Sequence, residues 1–290
     1  MAKTKISIVG PGSLGSALAV ALHTRGYRIA EIVYRQTAAS KRKAKALARR
    51  VHSVACSLSN SKLNADVVWL CVPDRSIAAV ARQLARKKKS WKGTTVLHSS
   101  GALPSDELSP LRKQGADVAS LHPLMTFVPG VDQSFAGVPF AVEGDAAAIR
   151  RARQVVRDLE GTISLLPKSK KPAYHAWAAF TSPLLLALLV TSEQVAKLAG
   201  IPPKEARKRM LPIVLQTIEN YVNHGPARAF SGPILRGDIL TLERHLKALT
   251  RRPVAQKVYR ALAQSALQSL PAAQKKAQQH LLLKKSGNKM

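Results

Sequence analysis

Hydrophobic and polar positions along the chain follow two different rhythms. Up to about residue 167, short apolar runs of strand length alternate with segments whose apolar residues recur at helical spacing. This alternation predicts an α/β fold, a doubly wound parallel sheet with helices Ser13–Arg25, Ser76–Arg86 and Ala146–Leu159 on its faces. The predicted strands are Lys5–Val9, Arg28–Tyr34, Ala65–Val72, Thr94–His98, Ala116–Leu121, Val138–Val142 and Thr162–Leu166.

The second part of the chain shows helical spacing alone. We therefore predict two domains, residues 1–167 and residues 168–290, with Lys168–Pro172 as a linker whose Lys170 and Lys171 are linker charges. The apolar run Ala176–Val190 is about a turn short of a membrane span and is interpreted as a buried core helix that bends at Pro183. A basic tail, Lys284–Met290, is expected to fray. The predicted helices are Tyr174–Leu198, Pro203–His224, Asp238–Leu249, Val254–Leu270 and Ala272–Leu283.

A glycine-rich turn joins the first strand to the first helix. In Gly10-Pro11-Gly12-Ser13-Leu14-Gly15, Gly10 suits a tight turn, Gly12 lets the backbone approach a pyrophosphate, and Gly15 lets the helix pack against the strand. The N–H groups at the helix N-terminus then face the phosphates. The turn predicts a Rossmann-type dinucleotide site; the alternative is a purely structural turn.

The residues at the end of the second strand indicate which dinucleotide the predicted site binds. Enzymes that prefer NAD place a carboxylate there for the ribose 2′-hydroxyl, whereas this chain has Tyr34 and Arg35. A guanidinium attracts a 2′-phosphate, so we predict NADP as the cofactor. The alternative is that the basic run is only the exposed face of the next helix, which suits Lys41–Lys45 better than it suits Arg35. Val72 and Pro73 end a buried strand and are expected beside the cofactor.

Charge is the unusual feature of the composition. The 290 residues include 46 Lys and Arg against 16 Asp and Glu, a formal net charge of +30. This balance permits binding to nucleic acids, anionic membranes or anionic metabolites. Because the basic residues are spread along the chain and aromatic content is only 4%, we expect a solvated basic surface that steers small anions, with no specific nucleic acid and no membrane as partner. Two cysteines suggest no metal site and a cytoplasmic location.

Five motifs carry a resemblance that spans nearly the whole chain. They are Gly10-Pro11-Gly12-Ser13-Leu14-Gly15, Val72-Pro73-Asp74, His98-Ser99-Ser100-Gly101, Leu121-His122-Pro123-Leu124 and Gly232-Pro233-Ile234-Leu235-Arg236-Gly237-Asp238. With them the chain resembles the 6-phosphogluconate and β-hydroxyacid dehydrogenase superfamily. Within it, the chain is most similar to proteins that join a Rossmann-like domain to a helical C-terminal domain of formerly unknown function, NADP oxidoreductase-like proteins to which an alternative ketopantoate reductase is related.

Hydride transfer to a carbonyl or imine needs a group that protonates or polarises the substrate. His122 is the first candidate, because it stands at a strand end before Pro123 and is similar to a histidine of prephenate dehydrogenases. Ser99 and Ser100 can also donate hydrogen bonds to a substrate. The alternatives are a histidine that only shapes the turn and serines that cap the following segment.

The helical part supplies further candidates through the resemblance. His175 lies near the start of the long helix, where related proteins place a catalytic lysine. Ser182-Pro183 stands where the family pattern has Ser-Asn, so Ser182 is the residue left to contact substrate. Arg236 would clamp a substrate carboxylate, and Asp238 would cap a helix or orient Arg236 or His175. A purely structural loop is the alternative for both.

Together these features predict an NADPH-dependent reductase of a small anionic oxo acid or imine, working between the two domains as a homodimer. The dimer is an expectation from the resemblance and from the apolar run Ala176–Val190. An NADP(H)-binding sensor without catalytic activity is the main alternative, favoured by the missing Asn. A basic nucleic-acid-associated protein is a remoter one, because charge alone supports it.

Overall fold

The computed structural model describes residues 4–283, so the predicted basic tail, Lys284–Met290, lies outside the described residues. The chain divides into two compact units between Ser182 and Pro183. The first is an α/β unit, and the second is helical. Each is described by itself below.

An eight-stranded sheet forms the centre of the first unit, with strand order β3-β2-β1-β4-β5-β6-β7-β8. Strands β1 to β6 are mutually parallel, as predicted, and β4 and β5 are buried along their whole length because helices cover both faces. The strands are β1 (Lys5–Val9), β2 (Arg28–Tyr34), β3 (Val54–Ser57), β4 (Val67–Leu70), β5 (Thr95–His98), β6 (Asp117–Pro123), β7 (Pro139–Gly144) and β8 (Thr162–Leu165).

The last two strands depart from the predicted all-parallel sheet. Strand β7 pairs antiparallel with β6, and β8 then runs parallel to β7. A parallel pairing needs a long crossover, usually a helix, whereas residues 124–138 between β6 and β7 contain no helix. Strand β3 was not predicted, because this edge strand is short and only Ser57 in it is fully buried.

Six α-helices lie within the described part of the first unit. In the first five helices the buried residues are small or aliphatic; in the fifth, α5, they are Ala148, Ala152, Val155 and Val156. This stripe recurs at helical spacing and packs against the sheet core. The helices are α1 (Ser13–Thr24), α2 (Ala38–Arg50), α3 (Asp74–Ala85), α4 (Ser109–Arg112), α5 (Ala146–Asp158) and α6 (Lys171–Thr181).

The first unit extends beyond the predicted domain boundary at Pro167 and ends at Ser182. The physical reason is α6, whose first residue, Lys171, is only 1% exposed and donates hydrogen bonds to Ser100, just after β5, and to Ser120, within β6. The predicted linker is therefore the start of a helix that is fastened to the sheet. Pro172 in its first turn is typical of such a start.

The second unit consists of helices, as predicted, around a small core of Leu246, Ala263, Leu267 and Leu282. Gly225, with φ of 75° and ψ of 168°, breaks α8 close to the predicted stop. The α-helices are α7 (Pro183–Ala196), α8 (Pro203–Ala229), α9 (Pro233–Arg236), α10 (Ile239–Ala248), α11 (Pro253–Ser269) and α12 (Lys275–Leu283).

The interpretation of Ala176–Val190 as a buried core helix is wrong. Residues 168–199 form one stretch long and apolar enough to cross a membrane by length and composition, but none of its most apolar window is buried. The backbone also breaks at Ser182, where φ is −130° and ψ is −80°, so α6 and α7 have 11 and 14 residues. Phe180 is 69% exposed and Leu186 is 62% exposed. The apolar character of the run does not come from a core position within this chain.

Candidate active site

The carboxyl ends of β1, β4, β5 and β6 lie at one edge of the sheet. The strand order reverses between β1 and β4, and ligands of doubly wound sheets bind in the crevice at such a reversal. A cavity of about 920 Å³ opens there, and we call it the glycine-turn cavity. Six of the predicted cofactor-binding residues line it, all of them outside α1: Gly10, Gly12, Tyr34, Arg35, Val72 and Pro73.

The three glycines of the turn meet three different surroundings. Gly10 has φ of +106°, and a Cβ there would lie 2.5 Å from the Cys71 carbonyl oxygen. A Cβ on Gly15 would collide with the Gly10 carbonyl oxygen, so this glycine lets α1 approach the turn. A Cβ on Gly12 would meet no atom within 4 Å. Both Gly10 and Gly12 line the cavity, but Gly12, the N-cap of α1, is the one with open space at its Cβ position.

Ser13 and Leu14 begin α1 directly after the turn. Leu14 is partly buried and packs against the sheet core. At the N-terminus of α1 the first backbone N–H groups lack partners within the helix. Neither Ser13 nor Leu14 is among the residues that line the cavity, and their phosphate-binding role stays a prediction.

The part of the cavity lining that comes from the end of β2 and from α2 is basic. Arg35 is exposed at the end of β2, and Ser40 and Lys43 of α2 line the same wall. The Thr37 hydroxyl accepts a 3.3 Å hydrogen bond from the Ser40 backbone N–H and so caps α2 beside Arg35. Among the described residues that line the cavity, none is an aspartate or glutamate. A dianionic phosphate could approach this wall without meeting a carboxylate.

Side chains from β6 and α6 meet beside the loop after β5. His122 Nδ1 lies 3.3 Å from the Tyr174 hydroxyl oxygen, and the two rings meet edge to face. The His175 ring lies 6.1 Å from the His122 ring, centroid to centroid. A Cβ on Gly101 would come within 2.7 Å of His175 and 2.9 Å of His122, so only glycine leaves room for both rings. We call these three side chains, with Gly101, the histidine cluster.

Burial sets the protonation of this cluster. Burial is the main reason that the pKa of His122 is lowered to about 4; the charges of His175 and Lys171 act in the same direction, and the charge of Asp74 opposes them. Burial raises the pKa of the Tyr174 phenol. Both groups are therefore neutral at pH 7, and the pair holds two exchangeable hydrogens, one on the ring and one on the hydroxyl.

Lys171 is the residue that sequence reasoning misjudged. Its ammonium group donates to the Ser100 carbonyl oxygen at 3.0 Å and to Ser120 Oγ at 2.7 Å. Burial lowers its pKa, and the charges of Glu143 and Asp74 oppose that change. Pro172 was the available signal, because proline in a first helical turn places the preceding residue at a helix start rather than in a linker. Lys171 holds the loop that carries Ser100 and Gly101.

Ser100 connects this loop to the cavity wall. Its hydroxyl donates to Asp74 Oδ2 at 2.7 Å and accepts the backbone N–H groups of Ala102 and Leu103. Asp74 directly follows Pro73, which lines the cavity. The Ser100 hydroxyl therefore caps the following segment, as the structural alternative predicts. A contact between Ser100 and substrate stays a prediction.

Ser99 and His98 point into the protein. The Ser99 hydroxyl accepts a 2.7 Å hydrogen bond from Trp69 Nε1 and also bonds to the Cys71 thiol. His98 is fully buried. Its Nδ1 accepts a hydrogen bond from the Ser100 backbone N–H, and its Nε2–H donates to the Pro104 carbonyl oxygen at 3.0 Å. Burial lowers the pKa of His98 to about 4. These contacts assign Ser99 and His98 to the support of the loop, and a catalytic role for Ser99 stays a prediction.

The candidates at and beyond the unit boundary have clear local positions. Ser182 occupies the break between α6 and α7. Arg236 is exposed at the end of α9. The Asp238 carboxylate accepts the Thr241 backbone N–H at 3.1 Å and its hydroxyl at 2.7 Å, which confirms the predicted cap. Substrate contacts of these three residues stay predictions.

Comparisons with known proteins agree with this architecture. A Rossmann-like domain matches residues 1–123, and the Domain of unknown function (DUF2520) matches residues 138–266. Both parts of the predicted resemblance are therefore confirmed. No relative was found among curated proteins.

Solved structures share the fold over nearly the whole chain. A Bacteroides fragilis protein assigned as an NADP oxidoreductase is 22% identical, with a TM-score of 0.77, and the match covers 91% of this chain and 97% of that one. A reductive aminase from Aspergillus terreus in complex with NADPH and ethyl levulinate is 17% identical, with a TM-score of 0.66 and coverage of 96% and 99%. A pyrroline-5-carboxylate reductase from Coxiella burnetii is 15% identical, with a TM-score of 0.58 and coverage of 91% and 97%. At these identities the likeness shows the fold.

Proposed function

We propose that this chain, which joins a Rossmann-like domain to a DUF2520 domain, is an NADPH-dependent oxidoreductase. One observation carries the proposal: the glycine-turn cavity and the histidine cluster are connected by direct contacts. Pro73 lines the cavity, Asp74 accepts a hydrogen bond from the Ser100 hydroxyl, and Gly101 lies so near His122 and His175 that a Cβ there would come within 3.0 Å of both rings. A dinucleotide site and a neutral proton-donating pair thus share one edge of the sheet.

The residues of the cavity fit NADP(H). Gly12 leaves open space where a pyrophosphate would lie against the start of α1, and Arg35, Ser40 and Lys43 offer donors to a 2′-phosphate. The folds of this kind solved with NADPH, such as the reductive aminase, support the same cofactor. When bound, the reduced nicotinamide supplies a hydride. Every other requirement of the reaction falls to the protein's side chains.

The His122–Tyr174 pair is suited to polarise and protonate the reacting oxygen or nitrogen of the substrate. If the ring hydrogen is on Nδ1, it donates to the Tyr174 oxygen and leaves the phenolic hydrogen for the substrate. If it is on Nε2, the phenol donates to Nδ1 and the imidazole Nε2–H is the free donor. In either tautomer the pair offers one hydrogen while carrying no charge. This arrangement suits a neutral electrophilic donor rather than an imidazolium acid.

The proposed substrate is a small anionic oxo acid or imine, which includes ketopantoate-like molecules. The net charge of +30 would steer such an anion, and the exposed Arg236 is the proposed clamp for its carboxylate. The exposed apolar side chains of α6 and α7 support a homodimer in which a second copy covers them. The homodimer, the absence of a specific nucleic-acid partner and of a membrane partner, and the cytoplasmic location stay predictions.

A test mixes the purified protein with NADPH and a panel of small 2-oxo acids and cyclic imines, and follows the absorbance of the reduced nicotinamide. We expect substrate-dependent loss of absorbance with at least one anionic compound, and slower loss in His122→Ala. Tight NADPH binding without turnover across the panel would contradict the reductase. That result would support the second candidate, an NADP(H)-binding sensor, which the Ser182-Pro183 sequence favours.

A further inference from the structure

One side of helix α2 carries a dense group of cations that the proposed reaction does not use. Lys41, Arg42, Lys45 and Arg49 are exposed around Ala38 and Ala46, and the six residues line a shallow depression of about 380 Å³. We call these four cations, with the two alanines between them, the α2 basic face. The helix has no acidic residue.

The α2 basic face is separate from the glycine-turn cavity. Ala39, Ser40 and Lys43 of the same helix line the cavity, whereas none of the residues of the basic face does. A third side of the helix, Ala44, Leu47 and Ala48, is buried against the sheet. The helix therefore turns separate sides toward the core, the cavity and solvent, and the solvent side is the most basic.

The charges of these four cations are not neutralised by ion pairs in the described part of the chain. Within residues 4–283, none of them has a carboxylate at ion-pair distance, although the adjacent Arg50 pairs with Asp132 at 2.8 Å. Lys41 and Lys45, and Lys45 and Arg49, are like charges four residues apart, a spacing that destabilises a helix. A bound polyanion would relieve this repulsion, and its counterions would be released on binding.

We infer that the α2 basic face binds the phosphate backbone of duplex nucleic acid without reading its sequence. Lys41, Lys45 and Arg49 rise by about 6 Å per four residues, which forms a row of charge about 12 Å long. Each strand of duplex DNA presents one negative charge per roughly 3.4 Å of the helix axis, so the row of cations can follow one strand. The small side chains of Ala38 and Ala46 let the backbone come close to the helix.

The composition of α2 favours a nucleic acid over an anionic membrane. A helix that lies in a membrane interface inserts an apolar side between the lipids. In α2 the larger apolar residue, Leu47, is buried in the sheet core, and only alanines lie among the exposed cations. The face also lacks aromatic side chains on which unpaired bases could stack, which favours a duplex over a single strand.

The experiment measures binding of a fluorescent 20-base-pair random-sequence DNA duplex to the full chain at several salt concentrations. One variant carries Lys41→Gln, Arg42→Gln, Lys45→Gln and Arg49→Gln. The matched control, Lys89→Gln, Lys92→Gln, Arg150→Gln and Arg153→Gln, removes four exposed charges outside α2. We expect the slope of log affinity against log salt concentration to be shallower by about 3 to 4 in the α2 variant, because each lost phosphate contact removes about 0.9. Its affinity for the duplex at 50 mM salt should fall more than tenfold. The control should lose far less.

Three results would overturn the inference. The first is no binding of the duplex by the unaltered protein at 50 mM salt. The second is an equal loss in both variants, which would assign binding to net charge. The third is retained duplex binding in the α2 variant together with lost binding to phosphatidylserine vesicles. NADPH binding reports folding in every variant, because Arg35 and Lys43 are kept, and the inference does not depend on the proposed reaction.

Discussion

The glycine-turn cavity and the histidine cluster lie along one sheet edge but are built in different ways. The cavity depends on the backbone: Gly10 holds a positive φ, Gly15 admits the helix, and Gly12 leaves space. The cluster depends on side chains from β6 and α6, separated by about fifty residues in sequence and brought together by Lys171 and the loop after β5. A local motif can specify the first, whereas only the assembled sheet specifies the second.

Among the variants that test this contrast, we expect Gly12→Asp to have the largest effect, a loss of NADPH affinity. Aspartate is a good N-cap and suits the positive end of α1, so the free energy of unfolding should stay the same or rise slightly. The same carboxylate would occupy the space proposed for the pyrophosphate and repel it. We expect NADPH binding, measured by calorimetry, to weaken more than about 100-fold, since two charge-assisted hydrogen bonds are worth about 3 kcal/mol.

Gly12→Asn is the matched control, because it adds nearly the same volume without the charge. It should weaken NADPH binding less than Gly12→Asp does. Unaltered NADPH binding in Gly12→Asp would remove the glycine turn from the cofactor site and leave the cavity without its proposed ligand.

On the side of the histidine cluster, His122→Ala should separate chemistry from binding. We expect turnover to fall about 100-fold while NADPH affinity stays within twofold, because His122 is not among the residues that line the cavity. His52→Ala, an exposed histidine outside the cluster, is the control for purification and folding. Equal loss of NADPH binding and turnover would mean that the two regions form a single binding site.

Tyr174→Phe should have a smaller effect on turnover, about tenfold, because the His122 ring keeps one donor hydrogen when its partner is removed. The second unit offers a matched control: His245 Nδ1 lies 3.0 Å from the Tyr259 hydroxyl oxygen, also with an edge-to-face contact. Tyr259→Phe removes a similar contact and should leave turnover unchanged. Equal losses in the two variants would assign the effect of Tyr174 to stability.

The smallest expected effect concerns the titration of His122. With a pKa of about 4, its ring should show no change in NMR chemical shift between pH 8 and pH 5.5. Because the unfolded histidine titrates near 6.5, the neutral ring contributes stability above that pH, and this contribution is lost as pH falls toward 4. His122→Asn identifies the signal by its disappearance. A midpoint near 6.5 would contradict a buried neutral donor and indicate an imidazolium acid.

Much of the first unit could be predicted because its signals are local. The boundaries of β2 match the predicted Arg28–Tyr34, and the start of α1 at Ser13 follows from the glycine turn. The reversed direction of β7 and β8 could not be predicted, since the apolar runs in the strands carry no sign of direction. In the structure, the connection between β6 and β7 contains no helix, and the two strands are antiparallel.

The site shows the same division. Arg35 and His122 could be found because each stands at or next to the end of an apolar run. Tyr174 and Lys171 could not, because their roles arise from burial against β5 and β6, which no local pattern records. For the apolar run Ala176–Val190 the local pattern gave a wrong prediction. Its strong hydrophobicity predicted burial, but the run is exposed in the described part of the chain.

The most direct test of the central claim is a paired titration of the protein with NADPH and NADH, repeated on Arg35→Asp. The account predicts that NADPH binds at least tenfold more tightly than NADH, about the value of one charge-assisted contact to the 2′-phosphate. Arg35→Asp should abolish that preference by weakening NADPH alone. Equal affinities for the two dinucleotides in the unaltered protein, or no binding of either, would contradict it.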